Sequence, residues 1–196
     1  MVREDHSGTP KLVLGSGSPR RHQLLREAGV AFEVVESGAD ETPIAGEAAC
    51  DFALRMARDK AHAVSRQVPE RLVLTADTVV EIDGDILNKP EDPHQARTML
   101  RRLSGRTHTV ITAFALARGR NIFECTPILS RVTFRELTDE TIDEYIATGE
   151  PFDKAGAYGI QGKGAEFIVR VEGSWSNVMG LPIDETLAAL RRHGIA

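Results

Sequence analysis

Residues 11–29 read KLVLGSGSPRRHQLLREAG, and this stretch sets the fold. The apolar run 11–15 has the length and composition of a buried strand. It breaks into Ser16-Gly17-Ser18-Pro19, then into a helical pattern carrying Leu24, Leu25 and Ala28 and stopped by Gly29. Ser18 is expected to cap that helix, with Pro19 at its first position. A strand passing through a short turn into a helix is the opening of an α/β fold. The turn leaves backbone N–H groups pointing at whatever lies above the sheet.

Working outward, residues 32–36 (FEVVE) read as a second strand and 37–47 as a loop rich in Gly, Asp and Pro. Residues 48–64 carry a helical stripe of Ala49, Phe52, Ala53, Met56, Ala57, Ala61 and Val64. Residues 72–81 (LVLTADTVVE) form a buried strand, and Asp83-Gly84-Asp85 signals a hairpin turn. A helix opens at Asp92 or Pro93 with Ala96, Met99, Leu100 and Leu103 inward. The β-rich runs 107–117 and 122–134 flank a turn at Gly119. Residues 139–148 form a short helix ended by Gly149. Residues 156–173 are glycine-dense and irregular, with a strand at 167–171, and 182–193 form a closing helix. Strands and helices mix without strict alternation. The expectation is an α/β fold with a mixed central sheet and flanking helices, residues 1–10 as a disordered tail and 11–196 as one domain.

The 196 residues are 41% hydrophobic and 27% charged, which is ordinary globular composition. A formal net charge of -5 argues against a general nucleic-acid binder while allowing a basic pocket for a small anion. Cys50 and Cys125 lack metal-ligand spacing and read as free thiols in a reducing cytosol. No run approaches the ~18 apolar residues of a membrane span, and the polar N-terminus has no signal-peptide stretch. A cytoplasmic location without membrane or nucleic-acid partners is expected.

Several residues break the ordinary rules. Arg20 and Arg21 sit in a first helical turn, where cations oppose the helix dipole. An anion at Ser16-Gly17-Ser18 would resolve that conflict; otherwise they are two solvated cations beside a capped turn, and spacing alone does not choose. GxxxxGK[ST] is absent, so this is not a Walker P-loop. Asp77 lies inside an apolar strand, where an unpaired carboxylate is costly. It needs a metal, a cation or a hydrogen-bond network, unless it ends the strand as a turn cap. Lys60 falls on the inward edge of its helix, where it either snorkels past the core or reaches a pocket. Lys89 alone is an ordinary lysine. In the segment 153–164 (DKAGAYGIQGKG), glycines allow close backbone approach to a ligand, and Gln161 can read a base edge; a flexible loop is the plain alternative. Asp40-Glu41 are loop charges, or one supplies a second carboxylate that, with Asp77, would suit Mg²⁺ or Mn²⁺. His22, His94 and His108 show no metal spacing.

The stretches SGSPRRHQLL, ADTVV with the later NKP, LSGRTHTVIT, and GEPFDKAGAYGIQGKGA with the following GLP run in order from Gly15 to Pro182. Together they resemble the Maf family of nucleoside triphosphate pyrophosphatases. The resemblance implies a fold similar to the inosine-triphosphate pyrophosphatases, with two lobes around a substrate cleft. It also implies release of pyrophosphate from a nucleoside triphosphate with a divalent metal (Mg²⁺, Mn²⁺ or Co²⁺). It places the general base on Asp77 and the second acidic, metal- or water-positioning residue on Glu41. Lys60 and Lys89 fall on the phosphate-side lysines, beside Ser16 and Arg21. Arg20, Thr78 and Gln161 fall on the substrate-discriminating positions. The AGAYGIQG form looks like the branch preferring dTTP and UTP. Three departures stand out: Gly15 where Ala is common, Asn88 before Lys-Pro, and Trp175 at a usual Tyr, where it would alter cleft closure. By analogy a homodimer is plausible. Two other classes compete: a nucleotide-sensing protein regulating cell division or septum formation, which would not need Asp77 and Glu41, and a phosphotransferase, which would need an acceptor pocket.

Overall fold

The computed structural model describes residues 11–195; the expected tail 1–10 lies outside them. The elements follow in the order β1 (Leu12–Leu14), α1 (Pro19–Glu27), β2 (Phe32–Val34), α2 (Ala49–Gln67), β3 (Leu72–Ile82), β4 (Asp85–Leu87), α3 (Pro93–Leu103), β5 (Thr107–Arg118), β6 (Asn121–Phe134), α4 (Asp139–Ala147), β7 (Ile168–Glu172), α5 (Trp175–Met179) and α6 (Ile183–Arg192). Seven strands form one sheet in the order β2-β1-β3-β5-β6-β7, with β4 also on β3. The β1–β2 and β1–β3 pairings are parallel, and all the others are antiparallel. The mixed α/β expectation therefore holds.

Local chemistry explains most element ends. Asp83 and Gly84 both take positive φ, 57° and 83°, as a two-residue hairpin turn requires. Asp92 caps α3 by accepting from the Gln95 N–H at 2.7 Å, with Pro93 following. Gly149 ends the α4 region in the left-handed conformation at φ 76°. The Ser18 expectation needs correcting. Ser18 occupies the N-cap position of α1, but its side chain makes no capping bond. Its N–H instead donates to the Ser16 hydroxyl at 3.3 Å. The sequence reading also passed over α5, a five-residue helix capped by Ser174.

Strand alternation sorts the core. From β3 and β5, Val79, Ile111, Ala113, Ala115 and Ala117 pack under α2 on one face. On the other face, Leu72, Leu74, Ala76, Phe114 and Leu116 meet α1, α5 and α6. Val80, Ile82 and Val110 meet α3 and α4 on that same face. Thr78 and Thr112, directly paired across β3 and β5, fall at the seam between these two apolar clusters.

The sheet also leaves part of β3 open. On one edge, β1 pairs with Leu72–Leu74 and β4 with Val80–Ile82. Between them β1 departs at Gly15, whose N–H still donates to the Leu74 carbonyl at 2.8 Å. A Cβ on Gly15 would lie 2.6 Å from Thr75 Cγ2 and 2.9 Å from Val64 Cγ2, so this chain packs α2 too closely for the common Ala. The uncovered edge of Asp77 and Thr78 is where a strand order of this kind opens a ligand crevice.

Candidate active site

At that edge lies a cleft of about 700 Å³, lined by the 15–21 turn, β3 from Asp77 to Val80, Glu41, Lys60, Lys89, the 153–160 segment and Gly180. Consecutive strand residues point to opposite faces, so Asp77 aims toward α2 and Thr78 toward α1 and α5. The cleft wraps the open edge and reaches both. Its lining includes the cations Arg20, Arg21, Lys60, Lys89 and Lys154 against the carboxylates Glu36, Glu41, Asp77 and Asp153. In a chain of net charge -5, this is a local positive site.

Asp77 is 8% exposed and Lys60 7%, so neither is a surface charge. Lys60 Nζ donates to Asp77 Oδ1 at 2.6 Å and lies 2.7 Å from Glu41 Oε1. One ammonium thus bridges the two carboxylates that the resemblance singled out, one on a buried strand and one on a loop. Lys60 reaches the pocket, which rejects the snorkelling alternative, and Asp77 is no turn cap. Burial alone would push the Glu41 carboxyl up. The Lys60 hydrogen bond and the charges of Lys60, Lys89 and Arg21 outweigh it and hold the group below the usual carboxylate range.

Arg21 lies on the cleft side of α1. Its Nε donates to the Gly180 carbonyl at 2.7 Å, Nη1 to the Ser16 hydroxyl at 3.0 Å and Nη2 to the Thr78 hydroxyl at 3.1 Å. All three acceptors are uncharged. Burial pulls the guanidinium below its ordinary value, Asp77 opposes that pull, and Arg20 adds to it. Arg21 is therefore an oriented cation that, among the described residues, has no carboxylate in direct contact. Its neighbour Arg20 faces across the cleft, pairing with Asp153 at 3.1 Å. Asp153 also takes Lys154 Nζ at 2.6 Å. His22 Nε2 lies 2.7 Å from the Ser16 carbonyl and steadies the turn.

The structure thus gathers Ser16, Arg20, Arg21, Glu41, Lys60, Asp77, Thr78 and Lys89 around one cleft. Gln161 is exposed and stands outside the lining, although its neighbours Gly159 and Ile160 belong to it. Trp175 is 51% exposed and likewise outside it, at the opposite end of α5 from Val178 and Met179, which do line the cleft. Sequence reasoning missed Asp153 as partner of Arg20, and missed Thr112 and Asn177 beneath Thr78. Thr112 offered a signal, a hydroxyl in the apolar run Val110-Ile111-Thr112-Ala113-Phe114, the same anomaly that marked Asp77. Among the described residues, no three His, Cys, Asp or Glu side chains come together as a metal cluster. The donor set that does form is two carboxylates facing a polyphosphate-sized cleft. That suits Mg²⁺, which commonly binds through one or two carboxylates plus substrate phosphates.

A mixed sheet opened at one strand, with a basic cradle on one side and paired carboxylates on the other, is the architecture of an enzyme acting on phosphorylated small molecules. The family model for Maf-like proteins matches residues 11–193, and the chain belongs to that family. It is 51% identical over 184 residues to the dTTP/UTP pyrophosphatase of Myxococcus xanthus, covering 94% of this chain and 93% of that one. It is 50% identical over 180 residues to the dTTP/UTP pyrophosphatase of Escherichia coli O157:H7, covering 91% of each. Among solved structures, the Ham1 protein of Staphylococcus aureus matches with a TM-score of 0.50 at 13% identity, covering 93% of this chain and 98% of that one. The HAM1 protein of Coxiella burnetii gives the same score and coverage at 14% identity. At such identities the likeness concerns the fold alone.

Proposed function

We propose that this protein hydrolyses nucleoside triphosphates, dTTP and UTP foremost, to the monophosphate and pyrophosphate. The observation that carries the reading is the pairing of two features on one open strand edge: Arg21 oriented by neutral acceptors, and Asp77 clamped with Glu41 by Lys60. The relatives' names supply the substrate class.

A triphosphate carries about four negative charges near neutral pH, which repel a nucleophile until they are matched. Arg21 is already aimed and, among the described residues, has no carboxylate to give up. Arg20 exchanges Asp153 for a phosphate oxygen, and Lys89 adds charge from the side of Glu41. Glu41 and Asp77 would hold a divalent cation, which when bound supplies further neutralisation of the phosphates. Asp77 Oδ1 is engaged by Lys60, which leaves Oδ2 to accept a proton from a water attacking the α-phosphorus. Tyr158 and Ile160, both nearly buried, give the cleft part of its apolar lining. Gln161 would come to the base by a movement of its loop, and paired edge hydrogen bonds would then reject wrong bases by leaving polar groups unmatched. The half-buried free thiols Cys50 and Cys125 suit a cytoplasmic enzyme.

Pyrophosphate release should be measured across a nucleotide panel with Mg²⁺, beside Asp77→Asn. Wild type should favour UTP and dTTP, and Asp77→Asn should bind UTP yet turn over at least about a hundredfold slower. Binding of UTP without pyrophosphate release by wild type would mark a nucleotide sensor instead.

A further inference from the structure

Thr78 was assigned by resemblance to substrate discrimination, but its hydroxyl is committed beneath the cleft. Thr112 Oγ1 donates to the Asn177 carbonyl at 2.9 Å, which uses its only proton. In the 2.9 Å contact between Thr78 and Thr112 hydroxyls, Thr78 must therefore donate. The Thr78 oxygen is then left as an acceptor, and it receives Arg21 Nη2 at 3.1 Å. The chain has one direction: guanidinium to Thr78, to Thr112, to the backbone of α5.

The far end is anchored. Asn177 Nδ2 donates to the Val110 carbonyl at 3.1 Å and to Ser130 Oγ at 3.0 Å. Its N–H donates to Ser174 Oγ at 3.2 Å, and Ser130 donates to the Ser174 carbonyl at 2.9 Å. Thr112 and Asn177 are fully buried and Ser130 nearly so. Aligned hydrogen bonds in such a setting reinforce one another. Without the Thr112 acceptor, the Thr78 proton has an alternative at the Gly180 carbonyl, 3.5 Å away, the same oxygen that holds Arg21 Nε. The Thr78 proton would then compete for the oxygen that holds Nε, and the guanidinium would be held less firmly.

We propose that Thr112, a residue without access to the cleft lining, is a positioning residue for triphosphate binding that acts through Thr78 on Arg21. The inference rests on the reading that Arg21 grips phosphate. It makes Thr78 an acceptor that sets the guanidinium rather than a free hydroxyl that reads a base.

The test is steady-state UTP hydrolysis with Mg²⁺ by Thr112→Val, Thr112→Ser, Arg21→Lys and the Arg21→Lys/Thr112→Val double variant, with melting temperatures recorded. Thr112→Ala replaces valine if valine prevents folding. The apolar variant should raise KM about fivefold with kcat within about twofold of wild type. Serine, which keeps the hydroxyl, should restore KM, and in the Arg21→Lys background the valine should add almost nothing. An unchanged KM in the apolar variant, a serine variant as impaired as valine, or full additivity with Arg21→Lys would each overturn the inference. If Arg21→Lys itself leaves KM unchanged, the phosphate-gripping role of Arg21 falls, and the inference with it.

Discussion

Replacing Lys60 with methionine keeps a long, unbranched side chain and removes the ammonium with its charge and its hydrogen bond to Asp77. Asp77 and Lys60 side chains are 11% and 9% exposed, so this ion pair is shielded from solvent, whereas Glu41 at 55% is not. Stripping one partner from a buried pair costs about 3–5 kcal/mol, because the other charge stays buried and unmatched. The Glu41 contact is solvent-screened and adds under ~1 kcal/mol. Asp77 can still draw on Arg21, so the lower end, about 3 kcal/mol, is the expected loss in a chelator. With a urea m-value of about 2 kcal/mol/M, the midpoint should fall by about 1.5 M. Millimolar Mn²⁺ should recover more stability in Lys60→Met than in wild type, where the ammonium already sits between the carboxylates. Equilibrium unfolding followed by circular dichroism, in EDTA and in Mn²⁺, reads both effects. A midpoint within ~0.2 M of wild type in EDTA would refute the claim that Lys60 chiefly compensates Asp77. Equal gains from Mn²⁺ in both proteins would refute the claim that these two carboxylates form the cation site.

Other perturbations follow from the same geometry. Asp153→Asn releases Arg20 from its partner across the cleft, so KM for UTP should fall about twofold to threefold, and salt should alter the variant's KM more steeply than that of wild type. Gln161→Ala should narrow the difference in kcat/KM between UTP and purine triphosphates about tenfold while sparing the best substrate's kcat; unchanged selectivity would remove Gln161 from base reading. Burial lowers His108, wedged between Phe134 and Tyr158, to about 4. The unfolded chain then binds the extra proton between about pH 6.5 and 4. This contribution to stability is full above pH 6.5 and is lost on acidification toward pH 4, by about 3 kcal/mol. His108→Gln should therefore give the protein a flatter acid limb of its stability curve than wild type, read as urea midpoints from pH 7.5 to 4.

Much of this architecture was legible in the chain because its signals are local. The Asp83-Gly84 turn, the Asp92 cap and the α2 stripe each carry their geometry in a few neighbouring residues. Asp77 and Lys60 stood out because a charge on an apolar face demands compensation; that the two compensate each other needed the packing of α2 on β3. What stayed hidden was set by long-range contacts. Arg20 meets Asp153 across 133 residues, and Thr112 meets Asn177 across 65. Ser18 misled because its sequence neighbours fit a cap while the turn gives the bond to Ser16. Helix α5 is too short for periodicity to register and is held by the Ser174 cap and by hydrogen bonds of Ser174, Ser176 and Asn177 to other elements.

The central claim is that this cleft directs water onto the α-phosphorus of a nucleoside triphosphate. Single-turnover hydrolysis of UTP in ¹⁸O-labelled water tests it most directly. One labelled oxygen should enter UMP and none the released pyrophosphate, and the labelled product should fall with Asp77→Asn. Label in pyrophosphate, or release of orthophosphate with UDP, would contradict the account.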